Sequence, residues 1–432
     1  MLHIESAEIR RLLLSGRFGL EKEGLRVLGD GRMAHTPHPF QDNVHITRDF
    51  SENQTEINTS VEPSAVEAVE TLDVYGRQMQ RVLKKQPVRE YLWPFSNPPR
   101  LGGEEEIPIA QFDGAFFSKT RYREYLSGRY GRYKMTFSGI HVNYSFSEEL
   151  LRAEFGLSRA RRSRSFRDSF YLELAEKAAA YGWLLVLLTA ASPVLDGSFY
   201  AMDAAGEDVF SGMASVRCSE LGYWNAFVPV FNYTDIRQYT DGIRRYVEAG
   251  LLQSASELYY PVRLKPKGEN SLETLREGGV DHIELRMFDL NPLVPGGLDP
   301  RDVQFAQLFL VWLASLPRMK LSVSDQVTAV QNFKNAAHYD LQTVPVVLPE
   351  AAGRPGASNA LEAGCFVLAQ IRSFYREIRK DLPDWVPEVL DFEEKKLSDP
   401  SSRYAVQVRD RFSASFLEKG MERAKELQDL LA

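Results

Sequence analysis

Four stretches of the chain alternate with the period of a strand, and each gathers ligating or charged side chains on one face. In "VDHIELRMFDL", His282, Glu284, Arg286 and Phe288 fall on one face, and Ile283, Leu285 and Met287 on the other. In "GLEKEGLRV", Glu21 and Glu23 share a face. In "SGIHVNYSF", His141 and Asn143 lie opposite Ile140, Val142 and Tyr144. In "ITRDFSENQTEINTSV", Asp49 precedes a turn and Glu56 stands on the run that follows. One such stretch alone describes a strand half in water, where an ion pair contributes roughly 0.2–1 kcal/mol. Four of them ask for a sheet with one face against a core and the other crowded with carboxylates.

If these strands are neighbours, the crowding has a physical cost. Two like charges about 4 Å apart repel by roughly 4 kcal/mol at an effective dielectric near 20. Cations within the cluster, or raised carboxyl pKa values, make it tolerable. Oxygen ligands with one imidazole suit Mg2+ or Mn2+ better than zinc. Arginines beside them suit anionic substrate groups, phosphate above all. The chain has no G-x-x-x-x-G-K-[ST] loop, complete G-x-G-x-x-G, H-E-x-x-H or G-x-S-x-G. Phosphate binding would therefore run through metals and arginines.

The rest of the chain limits the alternatives. Its 432 residues are 44% hydrophobic and 26% charged, ample for a large core. A net charge of −7 argues against nucleic acid as the main partner. The basic cluster from Arg159 to Arg167 has no stacking platform nearby and reads as a solvated face. Two cysteines, Cys218 and Cys365, build neither a disulfide framework nor a thiolate cage, which suits a cytoplasmic location. The N-terminus reads as a short amphipathic helix without a signal-peptide core. The most apolar run, Trp183 to Ala191, is about half a membrane span and reads as a buried helix, so no membrane is expected.

Helical spacing covers Leu72 to Gln86, and a basic, aromatic helix closes at Gly131. Lys134 to Phe146 alternates, and Ser158 to Pro193 reads as one long helix. After Pro300 the pattern is mainly helical, interrupted by the Gly- and Pro-rich "LPEAAGRPGASN". The outline is α+β: a sheet-rich region over residues 1–300 and a helical region over 301–432, packed as one unit.

Seven segments in order resemble glutamate–cysteine ligase of the bacterial type that also forms the first part of bifunctional glutathione synthases. They are "GLEKEGLRV", "HITRDFSENQTEINTSV", "YREYLSGRYG", "SGIHVNYSF", "SVRCSELGYWN", "ELYYPVRLKP" and "GGVDHIELRMFDLNP", spread from Gly19 to Pro292. The resemblance implies a glutamine-synthetase-like antiparallel sheet bent into a funnel around several Mg2+ ions. It implies phosphorylation of the γ-carboxylate of L-glutamate by ATP, then attack by the amine of L-cysteine. Carried over by position, Glu21, Glu23, Asp49, Glu56, His141 and Glu284 match metal ligands. Arg217 and Arg286 match arginines near the transferred phosphoryl group and glutamate. Tyr223 and Tyr259 match tyrosines of the acceptor pocket, with Tyr122 and Asn143 as further pocket members. Arg263 and Lys265 are candidates for the nucleotide phosphates, and Asp289 and Asn291 for supporting the turn after the strand.

Met135, which departs from the family's pattern near the acceptor pocket, Cys218 directly after Arg217, and Phe50 and Trp224 beside functional positions leave the acceptor's identity open. A different small amino acid or amine is therefore the alternative acceptor. A catalytically dead binding protein is the rival class, set against six ligand positions that are all filled. No second ATP-binding ligase domain is legible, so a separate glutathione synthetase is expected downstream.

Overall fold

The structure is a computed structural model and describes residues 2–40, 43–158, 160–349 and 356–432. Its strands are β1 (Gly16–Leu28), β2 (Ile46–Arg48), β3 (Gln54–Asn58), β4 (Glu90–Leu92), β5 (Gly139–Phe146), β6 (Val194–Asp196), β7 (Asp208–Phe210), β8 (Val262–Lys265), β9 (His282–Asp289), β10 (Pro345–Leu348) and β11 (Gly356–Asn359). Seven of them form one sheet in the order β2-β3-β1-β5-β9-β8, with β4 paired to the far end of β1. Every pairing is antiparallel. The four ligating stretches are thus adjacent in space, side by side as β3, β1, β5 and β9.

Alternation sorts the two faces. Phe18, Leu20, Ile57, Ile140, Val142, Ile283 and Leu285 turn to one side and are almost wholly buried. The helices of the first 300 residues are α1 (Ala7–Leu12), α2 (Ala65–Lys84), α3 (Phe117–Tyr130), α4 (Glu148–Leu157), α5 (Ser163–Tyr181), α6 (Trp183–Thr189), α7 (Ile236–Glu248) and α8 (Leu272–Gly278). The remaining helices are α9 (Pro300–Ser315), α10 (Val323–Ala336), α11 (Ala360–Glu377), α12 (Trp385–Ser398), α13 (Tyr404–Phe412) and α14 (Phe416–Leu431). One apolar cluster joins the sheet to α2, α5, α6, α9 and α11. All seven residues of α6 are buried; burying each large aliphatic side chain contributes about 1.5–3 kcal/mol relative to exposure.

Several sequence expectations are corrected. The first 300 residues are a mixture of helix and sheet, with eight helices among the described residues. Helix α2 begins at Ala65, ahead of the expected Leu72, because the Ser64 side chain accepts from the Glu67 backbone N–H at 3.2 Å. Residues Lys134–Thr136 form a short helical turn, and β5 starts at Gly139. The long helix expected from Ser158 to Pro193 is two helices that meet at Gly182. A Cβ at Gly182 would lie 2.5 Å from the Ala178 carbonyl and 2.7 Å from the Phe333 ring of α10, so glycine is the residue that fits the junction. Part of the loop "LPEAAGRPGASN" pairs as β10 and β11; residues 350–355 lie outside the described residues, as does Arg159 of the basic cluster. Arg167 of that cluster pairs with Glu148.

The ladder between β5 and β9 slips once. Ile140 pairs with Phe288 but Val142 with Leu285, so β9 places two residues, Arg286 and Met287, against one, His141. Phe288 was expected on the face of Glu284 and Arg286. The bulge turns it instead into the core, where it is fully buried with Ile140.

Candidate active site

The register explains how the polar face is assembled. Glu23 stands directly opposite Glu56, and Glu21 opposite His141. Asn143 stands opposite Glu284, and Arg263 opposite Glu284 from the other side. Directly opposed residues bring their Cβ atoms to roughly 4.5–5.5 Å.

Glu21, His141 and Glu284 can each offer a ligand atom within 4.8 Å of the others. His141 Nδ1 lies 3.0 Å from Glu21 Oε2 and 3.7 Å from Glu284 Oε1. A carboxylate can only accept, so the short contact places the proton on Nδ1 and leaves Nε2 as a lone pair. Nε2 is buried without a hydrogen-bond partner, 3.8 Å from Glu23 Oε1. Burial, and then Arg286, push the His141 imidazole down to about 4, so the ring is neutral at physiological pH. Asn143 Nδ2 donates to Glu21 Oε1 at 3.0 Å and steadies that carboxylate.

Glu23, Asp49 and Glu56 form the more crowded end. Burial, then the Asp49 charge, push the Glu23 carboxyl up to about 8 against the pull of Arg217 and Arg286. Burial and the charges of Asp49, Glu21 and Glu23 push Glu56 well above the usual carboxylate range. Burial also raises Asp49, although Arg123 and Arg286 oppose it. Three raised carboxyls beside an unpartnered imidazole nitrogen and an unpartnered Glu284 Oε2 fit a divalent cation. A bound cation would supply the missing positive charge and restore these groups to their ionised forms.

At the other end the charge balance reverses. Burial works against the Glu284 carboxylate, yet Arg286, Lys265, His141 and Arg263 together hold it far below its ordinary range. Arg286 Nη1 donates to Glu284 Oε1 at 2.9 Å, and Lys265 Nζ lies 3.3 Å from the same oxygen. Arg217 Nη2 donates to the Arg286 carbonyl at 2.7 Å. Arg217 reaches its place because residue 139 is glycine; a Cβ there would overlap the guanidinium. The Gly139 N–H meanwhile donates to Glu23 Oε2 at 2.8 Å.

Beyond the arginines lies a pocket lined by Arg217, Cys218, Tyr223, Trp224, Tyr259 and Arg286 among others. The Tyr223 and Tyr259 rings meet edge to face at 4.7 Å, and the Tyr259 hydroxyl is buried without a partner. Burial pushes the Tyr223 hydroxyl up to about 12, so it stays protonated as a donor.

Other expected site residues fall elsewhere. Tyr122 does not line this pocket; its hydroxyl bonds Ser254. Asn143 sits with Glu21 rather than with the tyrosines. Arg263 turns onto the carbonyls of Leu258 and Ser256. Asp289 accepts from Ser192 Oγ at 2.6 Å and Ser215 Oγ at 3.0 Å, tying two loops to the end of β9.

Two residues escaped the sequence reading. Arg123 donates from Nε to the Asp49 carbonyl, and its charge acts on Asp49 and Glu56. Its only sequence signal was its place beside Tyr122 in "YREYLSGRYG". Glu257, fully buried, accepts from the Tyr130 hydroxyl at 2.6 Å and pairs with Arg129 at 3.0 Å. Tyr130 in turn packs on Tyr259 at 5.5 Å.

An antiparallel sheet that runs from a carboxylate-and-imidazole cage to an arginine-lined pocket is a scaffold whose side chains fit cations and anionic groups side by side. The sequence model of glutamate–cysteine ligase matches residues 1–249 and 226–336, and the chain belongs to that family. It is 33% identical over 437 residues to a bifunctional glutathione biosynthesis protein of Listeria welshimeri, covering 98% of this chain and 55% of that one. It is 35% identical over 364 residues to a glutamate–cysteine ligase of Clostridium acetobutylicum, covering 72% of this chain and 74% of the relative. A crystal structure of a bifunctional glutathione synthetase from Pasteurella multocida superposes with a TM-score of 0.84 at 26% identity, over 99% of this chain and 54% of that one. A glutamate–cysteine ligase from Francisella tularensis, solved with AMP, shares the fold at TM-score 0.84 and 20% identity, covering 96% and 89% of the two chains. The chain thus spans about half the length of the bifunctional relatives it matches.

Proposed function

We propose that the chain joins the γ-carboxyl of L-glutamate to the amine of L-cysteine, the first step of glutathione biosynthesis. ATP transfers its γ-phosphoryl group to the glutamate γ-carboxylate, releasing ADP. The cysteine amine then forms the new C–N bond, and phosphate leaves with the mixed-anhydride oxygen. The observation that carries this reading is the junction on β9. There Glu284 faces the acidic cage and Arg286, two residues on, faces the pocket.

Glu21, His141 and Glu284, with Glu23, Asp49 and Glu56 beside them, would hold Mg2+, with Mn2+ as an alternative. When bound, the ion neutralises charge on the nucleotide phosphates and the phosphoryl group in transit. Arg217 and Arg286 bind and orient the anionic reactants. Tyr223 and Tyr259 wall the acceptor site and exclude water from the activated carboxyl. Lys265, beside Glu284, is the better placed of the two residues considered for nucleotide phosphates. We further infer that the sheet curves as a glutamine-synthetase-like funnel and that regions 1–300 and 301–432 work as one catalytic unit in the cytoplasm. A glutathione synthetase activity would follow, on a separate chain or fused as in the relatives named bifunctional.

The test is ADP release with glutamate and cysteine present. Glu284→Ala and Arg286→Ala should each abolish it while circular dichroism stays that of the wild type; a folded variant turning over at the wild-type rate would refute the assignment. The aromatic breadth of the pocket favours, as a second reading, another small amino acid or amine as acceptor. Mass spectrometry of products from an amino-acid mixture separates the two, since kcat/KM decides between competing acceptors.

A further inference from the structure

Lys22 lies between Glu21 and Glu23 on β1 and so turns to the opposite face of the sheet. Its register partners are Ile57 and Ile140, both in the core. Its Nζ donates to the Gly296 carbonyl at 2.6 Å, and among the described residues no carboxylate lies within ion-pairing distance of it. The space beside it is a cavity roofed by α2 and the end of α14 and separate from the arginine-lined pocket.

Three features of this cavity point to an occupant. Asp73 Oδ1, on α2, is buried without a hydrogen-bond partner. Asn291 is 3% exposed; its Oδ1 accepts from the Leu293 N–H, but its Nδ2 donates to nothing. Lys22 and Asp73 act on each other electrostatically across this space without forming an ion pair. Buried polar groups are nearly always paired, so the two orphaned atoms between them call for complementary groups. The third feature is Gly76, in the middle of α2 and facing the cavity. Alanine is favoured over glycine inside a helix, and a Cβ at Gly76 would meet nothing within 4 Å. The glycine therefore serves no close approach of backbone; it leaves the wall bare.

The donors, Lys22 and Asn291, suit a carboxylate. The free acceptor, Asp73, suits an ammonium. Leu72, Leu92 and Leu290 offer an apolar wall. We propose that this cavity, whose lining also includes Glu23, binds a free α-amino acid with an apolar side chain, as its zwitterion, beside Lys22. The site is distinct from the acceptor pocket and goes beyond the ligase reading.

Titration calorimetry on the full chain without ATP tests it, with L-leucine, L-methionine and L-phenylalanine as probes. At least one should bind with 1:1 stoichiometry. Its N-acetyl derivative, which lacks the ammonium, should bind at least about tenfold more weakly, as should the free amino acid to Asp73→Asn. Gly76→Met, which fills the cavity, should have the same effect. If Gly76→Met fails to fold by circular dichroism, the Asp73→Asn and N-acetyl comparisons decide alone. No heat with any probe up to about 10 mM, or binding that Asp73→Asn leaves unchanged, overturns the proposal. Neither outcome bears on ligase activity, which is measured separately by ADP release.

Discussion

The guanidinium of Arg217 fills the space that a side chain at Gly139 would need. The same glycine offers its N–H to Glu23, so one residue positions an arginine and a carboxylate at once. Gly139→Ala should displace Arg217 and lower the rate of ADP release by about a hundredfold, the scale of a 1 Å misplacement of a reacting group. Far-ultraviolet circular dichroism should change little, because Gly139 is the first residue of its strand. A near-wild-type rate would mean that Arg217 can relocate without loss.

Asn143 holds Glu21 by one hydrogen bond and is not itself an anionic ligand. Partners of metal-ligating groups typically change metal affinity by about 10–100-fold when removed. Asn143→Ala should therefore raise the Mg2+ concentration needed for half-maximal activity by that factor, with kcat at saturating Mg2+ much less affected. Chelation with EDTA should abolish ADP release from both proteins, and added Mg2+ should restore it.

Glu257 braces the proposed acceptor pocket from behind through Tyr130 and Tyr259. Glu257→Gln weakens charge-assisted hydrogen bonds that are each worth about 1.5–3 kcal/mol. Steady-state kinetics should show KM for cysteine rising roughly tenfold, with KM for ATP unchanged. Equal changes in both would point to a general loss of structure.

The two thiols should behave differently with pH. Burial pushes the Cys218 thiol up to about 11, despite the neighbouring Arg217. The thiolate is the reactive form, so at pH 8 only about one Cys218 in a thousand is reactive. Alkylation by iodoacetamide should therefore label the exposed Cys365 first. Cys218 labelling should climb about tenfold per pH unit until the pH nears 11. The folded pKa exceeds that of an unfolded thiol, so the native state holds its proton longer. The stability this adds is complete below about pH 8.5 and is lost as the pH rises through 11. Thermal melts between those limits check the sign.

Period-two alternation made much of the polar face legible before any coordinates. It placed Glu21 with Glu23 and His141 with Asn143, and the apolar partners Ile140, Val142, Ile283 and Leu285 are in the core. What it could not supply was information held by distant partners. The position of Phe288 depends on how β5 pairs with β9, and the fit at Gly182 in part on the Phe333 ring of α10. Arg263 reads in the sequence as a candidate for the nucleotide phosphates because nothing local shows that it donates to the Leu258 and Ser256 carbonyls. Arg123 belongs to a helix and meets Asp49 across space, which strand periodicity cannot detect.

The slip between β5 and β9 makes strand length itself part of the design. Before it, even-numbered residues such as Glu284 belong to the polar face; beyond it, the even-numbered Phe288 looks inward and Asp289 secures two loops. Removing a single residue at the irregularity would restore a perfect ladder with Phe288 still opposite Ile140, and would cost the strand one of the two residues, Arg286 and Met287, that now stand against His141. The motif can therefore tolerate changes of spelling more readily than changes of count, and any chimaera built across it must inherit the defect intact.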